Sequence, residues 1–569
     1  MNLLPIPRRV ELGSDTVTLT TPEVVFDAAL PAQGYRLRIS PDRVQVEAAD
    51  EPGAFYARAT LEQLTRLHGG RLPIGSVEDW PDLAVRGVML DISRDKVPSM
   101  TTLFDLIDRL ASWKINQVQL YTEHTFAYRD HPEVWERASP MTAGEIAELD
   151  AYCRARHVEL VPNQNCLGHW ERWLRHERYR PLALCPDGFE QRGQRKAPTT
   201  LDPTNPAALK LVRSLLEELL ANFTSRRVHV GLDEPWELPH ERIGDYLAWV
   251  RALREAPELA GREMLVWGDI LDLHPDSLDA LPGEVTVCEW WYDAPRDWDA
   301  VVQPHASAGR SFWVCPGTSS WTTILGRWTN ATTNISEAAS AGVAQGAGGL
   351  LVTDWGDLGH LQYLPISEPG LAWAAAQSWC LAANNGLDLP AALDTHCYGD
   401  HAGVLGAALQ ELGNAHLRIG PQWFNLSTLT MHLYYPQLQL GRTFTAGLTL
   451  AELDDAADCL SGVAARLDAA RPTRADGALV VEELKAGAAL VGLLCRDARA
   501  RLETDGWLAS VPAAVRTGFA DELSPMIDHH RRLWLARNRP GGLDESVAWL
   551  ENLERCYRTG QTAKHWGGF

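Results

Sequence analysis

Residues 227–234 read RVHVGLDE, an apolar, strand-like run that ends in two adjacent carboxylates. Similar apolar runs recur along the chain and alternate with helical patterns. Together the eight runs cover residues 85–90, 117–121, 158–162, 227–230, 264–267, 285–288, 311–315 and 349–352. Strands buried on both faces and separated by helices are typical of parallel sheets. Eight such units favour a closed (β/α)₈ TIM barrel over a doubly wound sheet.

The sequence pattern changes on both sides of this barrel region. Short alternating segments at 35–39 and 44–48, followed by helical spacing over 53–67, predict a small N-terminal α/β domain over residues 1–80. The predicted barrel occupies 81–368, and capping boxes mark two helix starts, at Thr142 with Glu145 and at Thr449 with Glu452.

Beyond residue 368 the strand signal disappears and Ala- and Leu-rich helical stretches dominate, which predicts a C-terminal helical region over 369–569. Such a region could pack on the barrel, where it could add a wall to a site. It could also pack on a second subunit and form a homodimer. Its periodicity does not distinguish these arrangements.

The overall composition is that of a globular protein and restricts its partners. Hydrophobic residues make up 45% of the 569 residues and charged residues 22%, which excludes intrinsic disorder as a description of the whole. Lys and Arg number 52 against 74 Asp and Glu, a formal net charge of −22. Nucleic acids and anionic membranes attract basic surfaces, so we expect neither as a partner.

The distribution of cysteines and apolar residues predicts a cytoplasmic protein. The ten cysteines form no CxxC pair, as expected of reduced thiols. The start, MNLLPIPRRVEL, lacks the apolar core of a secretory signal, and no run of 18 apolar residues occurs. Acids and histidines form no compact ligand set, so we expect no metal and no cofactor, and a metal-dependent hydrolase is a minor alternative.

The best candidates for chemistry are the two carboxylates at the end of the fourth barrel run. Catalytic groups in such barrels come from the C-terminal ends of strands. Asp233 and Glu234 leave the strand together, and their mutual repulsion costs folding energy unless they share a task. In the alternative interpretation, Asp233 only caps the following helix and Glu234 is solvated.

Four motifs in a fixed order carry a family resemblance. Residues 229–234, HVGLDE, resemble the H-x-G-x-D-E signature of glycoside hydrolase family 20, the β-N-acetylhexosaminidases. Residues 86–94, RGVMLDISR, resemble that family's first barrel strand, and 167–169, LGH, its P-G-H element. Residues 53–56, GAFY, resemble the end of its N-terminal domain. The resemblance extends to about residue 365 and leaves the helical tail outside.

The resemblance implies an exo-acting, retaining β-N-acetylhexosaminidase that removes terminal β-linked GlcNAc or GalNAc from oligosaccharides. In this family the substrate's own acetamide replaces the protein nucleophile and forms an oxazolinium ring. The match assigns the general acid to Glu234 and the contact with the acetamide N–H to Asp233. It implies that His169 orients Glu234 or shares its proton and that Arg94 holds sugar hydroxyls. A simple salt bridge is the alternative for Arg94.

The remaining implied site residues follow other barrel strands. The family has an Asp behind the histidine, where this sequence offers Glu123. We expect aromatic residues after the later strands to enclose the acetamide, and further residues to bind the sugar. The substrate-binding candidates are His229, Trp267, Trp290, Trp291, Tyr292, Trp321, Trp355 and Asp357.

Three departures from the family pattern concern the sugar preference. Arg94 is followed by Asp95 rather than His, and residues 163–165, NQN, replace an acidic segment. No tyrosine is evident on the seventh strand, so Tyr292 is our candidate for the contact with the acetamide carbonyl. These changes leave open a galacto-selective β-N-acetylgalactosaminidase. Two further alternatives are a two-carboxylate retaining glycosidase and a catalytically silent sugar-binding barrel.

Overall fold

The computed structural model describes residues 2–18, 21–191 and 193–562. The chain begins with a five-stranded sheet in the order β1-β5-β3-β4-β2. Its elements are β1 (Arg9–Thr18), β2 (Glu23–Phe26), β3 (Tyr35–Ile39), β4 (Val44–Ala48), α1 (Glu51–Leu67) and β5 (Arg71–Asp79). The side chain of Asp50 caps α1 by accepting a hydrogen bond from the Gly53 N–H. The small N-terminal domain predicted from alternating residues is thus confirmed.

Eight parallel strands close into a barrel, which confirms the predicted TIM-barrel fold and excludes the doubly wound sheet. Strand β15 pairs with β6 in the register Gly349↔Val85 and so closes the ring. The strands are β6 (Val85–Asp91), β7 (Gln117–Thr122), β8 (Glu159–Gln164), β11 (Arg227–His229), β12 (Glu263–Trp267), β13 (Val285–Trp290), β14 (Phe312–Cys315) and β15 (Gly349–Asp354). A short hairpin of β9 (Phe189–Gln191) and β10 (Gln194–Lys196) extends from the loop after β8.

The helices of the barrel segment surround and connect these strands. They are α2 (Met100–Ser112), α3 (Pro132–Trp135), α4 (Ala143–Arg154), α5 (Glu171–Leu174), α6 (Pro206–Leu220), α7 (Ile243–Arg254), α8 (Asp269–Leu273), α9 (Trp298–Ser307), α10 (Trp328–Gln345) and α11 (Leu364–Trp379). The predicted capping box of Thr142 and Glu145 begins α4. The last of these helices, α11, extends across residue 368.

Side chains fill the interior of the barrel. They form a cluster separate from the layer between strands and helices, and the cluster includes Met89, Tyr121, Leu265, Trp267, Cys288, Trp313, Cys315, Leu351 and Trp355. A barrel packed in this way has no pore, so a ligand can enter only at one end.

The rest of the chain is helical, as predicted, and packs on the barrel. Its helices are α12 (Leu381–Asn384), α13 (Leu389–Leu393), α14 (Leu405–Gly413), α15 (Met431–Tyr434), α16 (Leu450–Arg466), α17 (Gly477–Leu502), α18 (Ala513–Arg537) and α19 (Leu543–Thr559). The predicted capping box of Thr449 and Glu452 begins α16. Arg474 reaches the fully buried Glu368 of α11 at 2.8 Å, which ties this region to the barrel. Within the described residues, no helix is both long enough and apolar enough to cross a membrane.

Candidate active site

The loop after β11 turns sharply and brings two carboxylates to the C-terminal end of the barrel. Gly231, Leu232 and Glu234 all have positive φ, at 69°, 76° and 47°. At Gly231 a Cβ would lie 2.7 Å from Cγ of Asn165, so only glycine fits this close approach. The left-handed conformation of the two non-glycine residues stores strain, as functional loops often do.

Asp233 is held as a carboxylate. Its Oδ1 accepts a hydrogen bond of 2.7 Å from Nδ2 of Asn165, and its Oδ2 lies 3.3 Å from Nε2 of His169. Burial favours the neutral form of Asp233, but the charge and hydrogen bonds of its partners outweigh burial and lower its pKa. Asp233 is therefore ionised at neutral pH.

The pKa of Glu234 is shifted in the opposite direction from that of Asp233. Burial, together with the charges of Asp233 and Asp357, outweighs the attraction of His169 and Arg94 and raises the pKa of Glu234 to about 7. Its side chain is 29% exposed and faces the cavity, with Oε2 3.6 Å from Nε2 of His169. The loop thus places a carboxyl that keeps its proton up to about pH 7 beside an ionised one, the pattern of acid and base assignments in many active sites.

His169 connects this pair to Glu123, as the resemblance implies. Nδ1 of His169 lies 4.0 Å from Oε1 of Glu123, on the ring side opposite Asp233. Burial opposes a charged imidazole, but Asp233 and Glu123 prevail and the pKa of His169 lies well above its usual range. Burial, only partly offset by Arg94 and His169, raises the pKa of Glu123 to about 7.

Arg94 lies in the cavity wall within an ion-pair network, so the salt bridge is present, while its contact with sugar hydroxyls stays a prediction. Its Nη1 lies 3.2 Å from Oδ2 of Asp91 and 3.3 Å from Oε1 of Glu123. Its Nη2 lies 3.5 Å from Oδ1 of Asp357, whose side chain is more exposed. These partners fix the guanidinium at the rim, where it can donate hydrogen bonds to a ligand.

A cavity of about 320 Å³ opens between these charged groups and a set of aromatic rings. This volume is within the range of small-ligand sites. The cavity is lined by Arg94, His169, Asp233, Glu234, Trp267, Trp290, Trp291, Tyr292, Trp355, Asp357, Phe424 and Asn425. The structure therefore brings most of the predicted site residues to one place.

The aromatic rings hold one another in position. Nε1 of Trp355 donates a hydrogen bond of 2.8 Å to the Tyr292 hydroxyl, and Trp290 stacks on Tyr292 with ring centres 5.2 Å apart. The ring centres of Trp267 and Trp355 lie 6.1 Å apart. This arrangement gives the cavity a rigid apolar wall with one hydroxyl, that of Tyr292, our sequence candidate for the acetamide contact.

Two predicted substrate-binding residues lie behind the wall rather than in it. His229 is fully buried against Trp267, and its Nδ1 accepts a hydrogen bond from the Gly231 N–H at 3.0 Å. Burial lowers the pKa of His229 to about 3, so this ring is neutral. Trp321 packs edge-on against Tyr292 at 5.1 Å. Both residues therefore support the rings in front of them instead of facing the cavity.

Three groups important to the site were not among the predicted site residues. Asn165, within the NQN departure that the sequence does show, fixes Asp233. Phe424 and Asn425 come from the helical region and line the cavity, with the Phe424 ring 5.1 Å from Trp291. A loop between helices carries no sequence signal for this contact.

The described residues contain no group of three His, Cys, Asp or Glu side chains that could hold a metal ion. What the site does assemble is a proton donor, a fixed anion and an aromatic pocket. These groups suit acid–base chemistry on a ligand that combines hydroxyls with an apolar face.

Two family models match consecutive parts of the chain. The model described as glycosyl hydrolase family 20, domain 2, matches residues 10–80, and that of the family 20 catalytic domain matches residues 84–321. Among curated relatives, a beta-hexosaminidase of Akkermansia muciniphila is 28% identical over 42% of this chain and 52% of its own length. A beta-N-acetylhexosaminidase of Cellulomonas fimi is 26% identical over 51% of this chain and 60% of its own.

Solved structures share the fold. A family 20 beta-N-acetylhexosaminidase from Streptomyces coelicolor A3(2) superposes with a TM-score of 0.57 at 19% identity, over 73% of this chain and 96% of that one. A family 20 exo beta-N-acetylglucosaminidase from Vibrio harveyi superposes with a TM-score of 0.58 at 16% identity, over 72% and 78%. The chain spans about half the length of the curated relatives it matches. The two family models together match more than half of the residues, and the chain belongs to glycosyl hydrolase family 20.

Proposed function

We propose that this protein is an exo-acting, retaining β-N-acetylhexosaminidase that uses the acetamide of its substrate as the nucleophile. The observation that carries the proposal is the adjacent pair of Asp233 and Glu234 beside an aromatic cavity, in surroundings that shift the pKa of Asp233 down and that of Glu234 up. The names of the curated relatives support it further. The substrate would be an oligosaccharide or glycoside with a terminal β-linked N-acetylhexosamine.

In the first step the bond between the anomeric carbon and the leaving oxygen breaks. Glu234 gives its proton to that oxygen, while the acetamide oxygen attacks the anomeric carbon from the opposite face. An intramolecular nucleophile has a very high effective concentration, so no protein nucleophile is needed. The leaving alcohol departs with the proton, and Glu234 remains as a carboxylate.

Asp233 stabilises the intermediate that results. Its carboxylate accepts a hydrogen bond from the acetamide N–H and offsets the positive charge of the oxazolinium ring. The rings of Trp267, Tyr292 and Trp355 would surround the acetamide methyl and exclude water there. The Glu234 carboxylate then takes a proton from a water molecule whose oxygen attacks the anomeric carbon. The ring opens, and two inversions give net retention.

We expect the sugar preference to depend on the side chains near Arg94 in the cavity wall. Asp95, which replaces the family's His, pairs with His124 at 2.7 Å, and Lys96 donates to the His360 carbonyl at 2.9 Å. Neither side chain lines the cavity, where Arg94, Asp357 and Asn425 would hold hydroxyls. A galacto-selective β-N-acetylgalactosaminidase is therefore the second candidate.

Nitrophenol release from paired β-GlcNAc and β-GalNAc glycosides tests the proposal. We expect turnover of at least one by the wild type and a loss of about 10²–10⁴-fold in Glu234→Gln. The ratio of the two rates gives the sugar preference. Inhibition by a thiazoline mimic of the oxazoline, with no turnover of the plain β-glucoside, would separate this mechanism from a two-carboxylate glycosidase. Tight sugar binding without turnover would support a silent sugar-binding barrel.

The location and assembly of the protein are also proposals. All ten cysteines are free thiols, which supports the expectation of a cytoplasmic protein. Cell fractionation tests this expectation. The predicted homodimer is tested by light scattering against the chain mass of 63.0 kDa.

A further inference from the structure

A second cavity, of about 460 Å³, adjoins the first and shares three residues with it. The shared residues are Glu234, Trp290 and Trp291. The second cavity, which we name the outer slot, runs from Glu234 between the loop after β11 and the segment that includes α8. It is lined mainly by Pro235, Trp236, Leu238, Ile243, Ile270 and Leu273.

The outer slot lies on the leaving-group side of the catalytic acid. The proposed mechanism places the terminal sugar in the inner cavity, with Glu234 at the glycosidic oxygen. The leaving group bonded to that oxygen must extend past Glu234, out of the inner cavity that Arg94 and Asp357 line. The outer slot begins at this point, because Glu234 belongs to the walls of both cavities.

The walls of the slot are apolar and unusually exposed. Trp236 is 50% exposed and Leu273 is 60% exposed, and exposed apolar surface beside a ligand site commonly marks a binding surface. The loop that carries Trp236 is held firmly, since the Glu237 carboxylate accepts hydrogen bonds from the N–H groups of Thr199 and Thr200 at 2.6 and 3.1 Å. Trp236 is thus presented by a fixed loop.

The polar side chains of the slot are few: besides Glu234 they are Asp269, Asp272, Arg296 and two histidines. Asp269 already accepts from the Glu234 N–H, and Arg296 stacks on Trp291 at 4.4 Å. His240 and His274 also line the slot, with ring nitrogens 3.2 Å apart that join the two segments. Because the rest of the wall is apolar, a sugar in the slot would regain only part of the hydrogen bonds that it loses to water, at a cost in affinity.

We propose that the outer slot binds the aglycone and selects substrates whose leaving group is an alkyl or aryl chain rather than another sugar. This inference rests on the proposed function and names its substrate class. Contact with Trp236 and Leu273 would remove the apolar part of the leaving group from water while Glu234 protonates the oxygen between the two cavities.

A series of alkyl glycosides of the preferred N-acetylhexosamine tests the inference. Each fully buried methylene strengthens binding by up to about fourfold. We therefore expect kcat/KM of the butyl glycoside to exceed that of the methyl glycoside by at least about tenfold, and to exceed that of the disaccharide. In Leu273→Asp and in Trp236→Ala the butyl-to-methyl ratio should fall towards one.

The matched control is Leu535→Asp, a leucine of α18 that is 51% exposed and lines neither cavity. It should keep the wild-type ratio. A wild-type ratio near one, a preference for the disaccharide, or an unchanged ratio in both slot variants would overturn the inference while leaving the hydrolase proposal intact. Absence of turnover on every glycoside, by contrast, would remove the hydrolase proposal and this inference with it.

Discussion

The backbone N–H of Glu234 donates a hydrogen bond of 3.0 Å to Oδ2 of Asp269. Glu234 is in the left-handed region at this point, with φ of 47°, so the contact holds the acid in a conformation that a non-glycine residue rarely adopts. Asp269 is itself half-buried, and it also accepts from Nε1 of Trp290 at 3.4 Å. We infer that Asp269 is a positioning residue for the catalytic acid.

Removing the Asp269 carboxyl should therefore misplace the acid without removing it. We expect Asp269→Ala to lower kcat by about 10- to 100-fold, because small displacements of a catalytic group are costly, with a much smaller change in KM. Asp269→Asn keeps an acceptor oxygen and should recover most of the rate. Steady-state kinetics on the nitrophenyl glycoside, with thermal melting as a check of folding, distinguishes the two variants. Equal losses in both would contradict a role through the hydrogen bond.

The pH profile should show an alkaline limb near pH 7. Glu234 must be protonated for the first step, and its raised pKa of about 7 keeps the proton up to that pH. Activity is therefore present below about pH 7 and falls above it. The acid limb should lie below the usual carboxyl range, because the pKa of Asp233 is lowered. Profiles of kcat/KM measure both limbs.

Glu123 also has a pKa of about 7, so the profile needs a control. Glu123→Gln should lower the rate but keep the alkaline limb if Glu234 is the titrating acid. Loss of that limb in Glu123→Gln would assign it to Glu123 and not to the proton donor.

Asp233→Asn should lower both the catalytic rate and the pKa of His169. Without the anion that opposes the oxazolinium charge, we expect kcat/KM to fall by about 10²–10³-fold. His169 owes its raised pKa largely to Asp233, so its pKa should move down towards the ordinary range. NMR titration of the histidines follows the second effect independently of activity. A His169 signal that does not move would show that other acids, among them Glu123 and Glu171, hold its charge without Asp233.

The fold could be predicted because each barrel strand is a buried apolar run of almost the right length. The run at 227–230, for example, corresponds to a β11 that ends at His229. The pair of Asp233 and Glu234 follows from its position at a strand end. Alternation along a strand indicates which side chains point into the barrel, but it does not indicate whether they reach the cavity or lie beneath its wall. His229 points inward but lies beneath Trp267, and Trp321 lies behind Tyr292.

The part of the site from the helical region could not be predicted, because it depends on contacts distant in sequence. Asn425 is fixed by its N–H to Asp293 at 3.0 Å and by its carbonyl, which accepts from Thr322 Oγ1 at 2.6 Å. Both partners lie more than 100 residues earlier, and the family model ends at residue 321. No local pattern marks the loop of Phe424 as part of the cavity.

Phe424 therefore provides a test of the helical region's contribution to the site. Its ring lines the cavity beside Trp291 and is 56% exposed. We expect Phe424→Ala to lower kcat/KM by about 2- to 10-fold, in line with about 0.5–1.5 kcal/mol for the loss of an aromatic contact, without lowering the melting temperature. Phe26→Ala, a phenylalanine of β2 that is 52% exposed, is the matched control and should leave the rate unchanged. Similar rates in both variants would exclude Phe424 from ligand binding.

The attachment of the helical region to the barrel should depend on Glu368. This carboxylate is fully buried in α11, 2.8 Å from Arg474 and 3.1 Å from Arg109. Glu368→Ala removes the carboxylate partner of Arg109 and leaves Arg474 with Asp476 alone. We expect a loss of about 3–5 kcal/mol in the free energy of unfolding. Glu411→Ala breaks an exposed pair with Arg466 and should cost no more than about 1 kcal/mol.

The same carboxylate predicts how stability changes with pH. Burial favours the neutral form of Glu368, but Arg474 and Arg109 outweigh it and lower its pKa below the ordinary value. Its contribution to stability is therefore complete above the unfolded-state pKa and is lost as pH falls through the lowered folded-state pKa. Urea unfolding of the full chain at neutral pH and near pH 4 should show this loss in the wild type. Glu368→Ala should show a smaller loss over the same interval, and an equal loss would assign the acid sensitivity to other carboxylates.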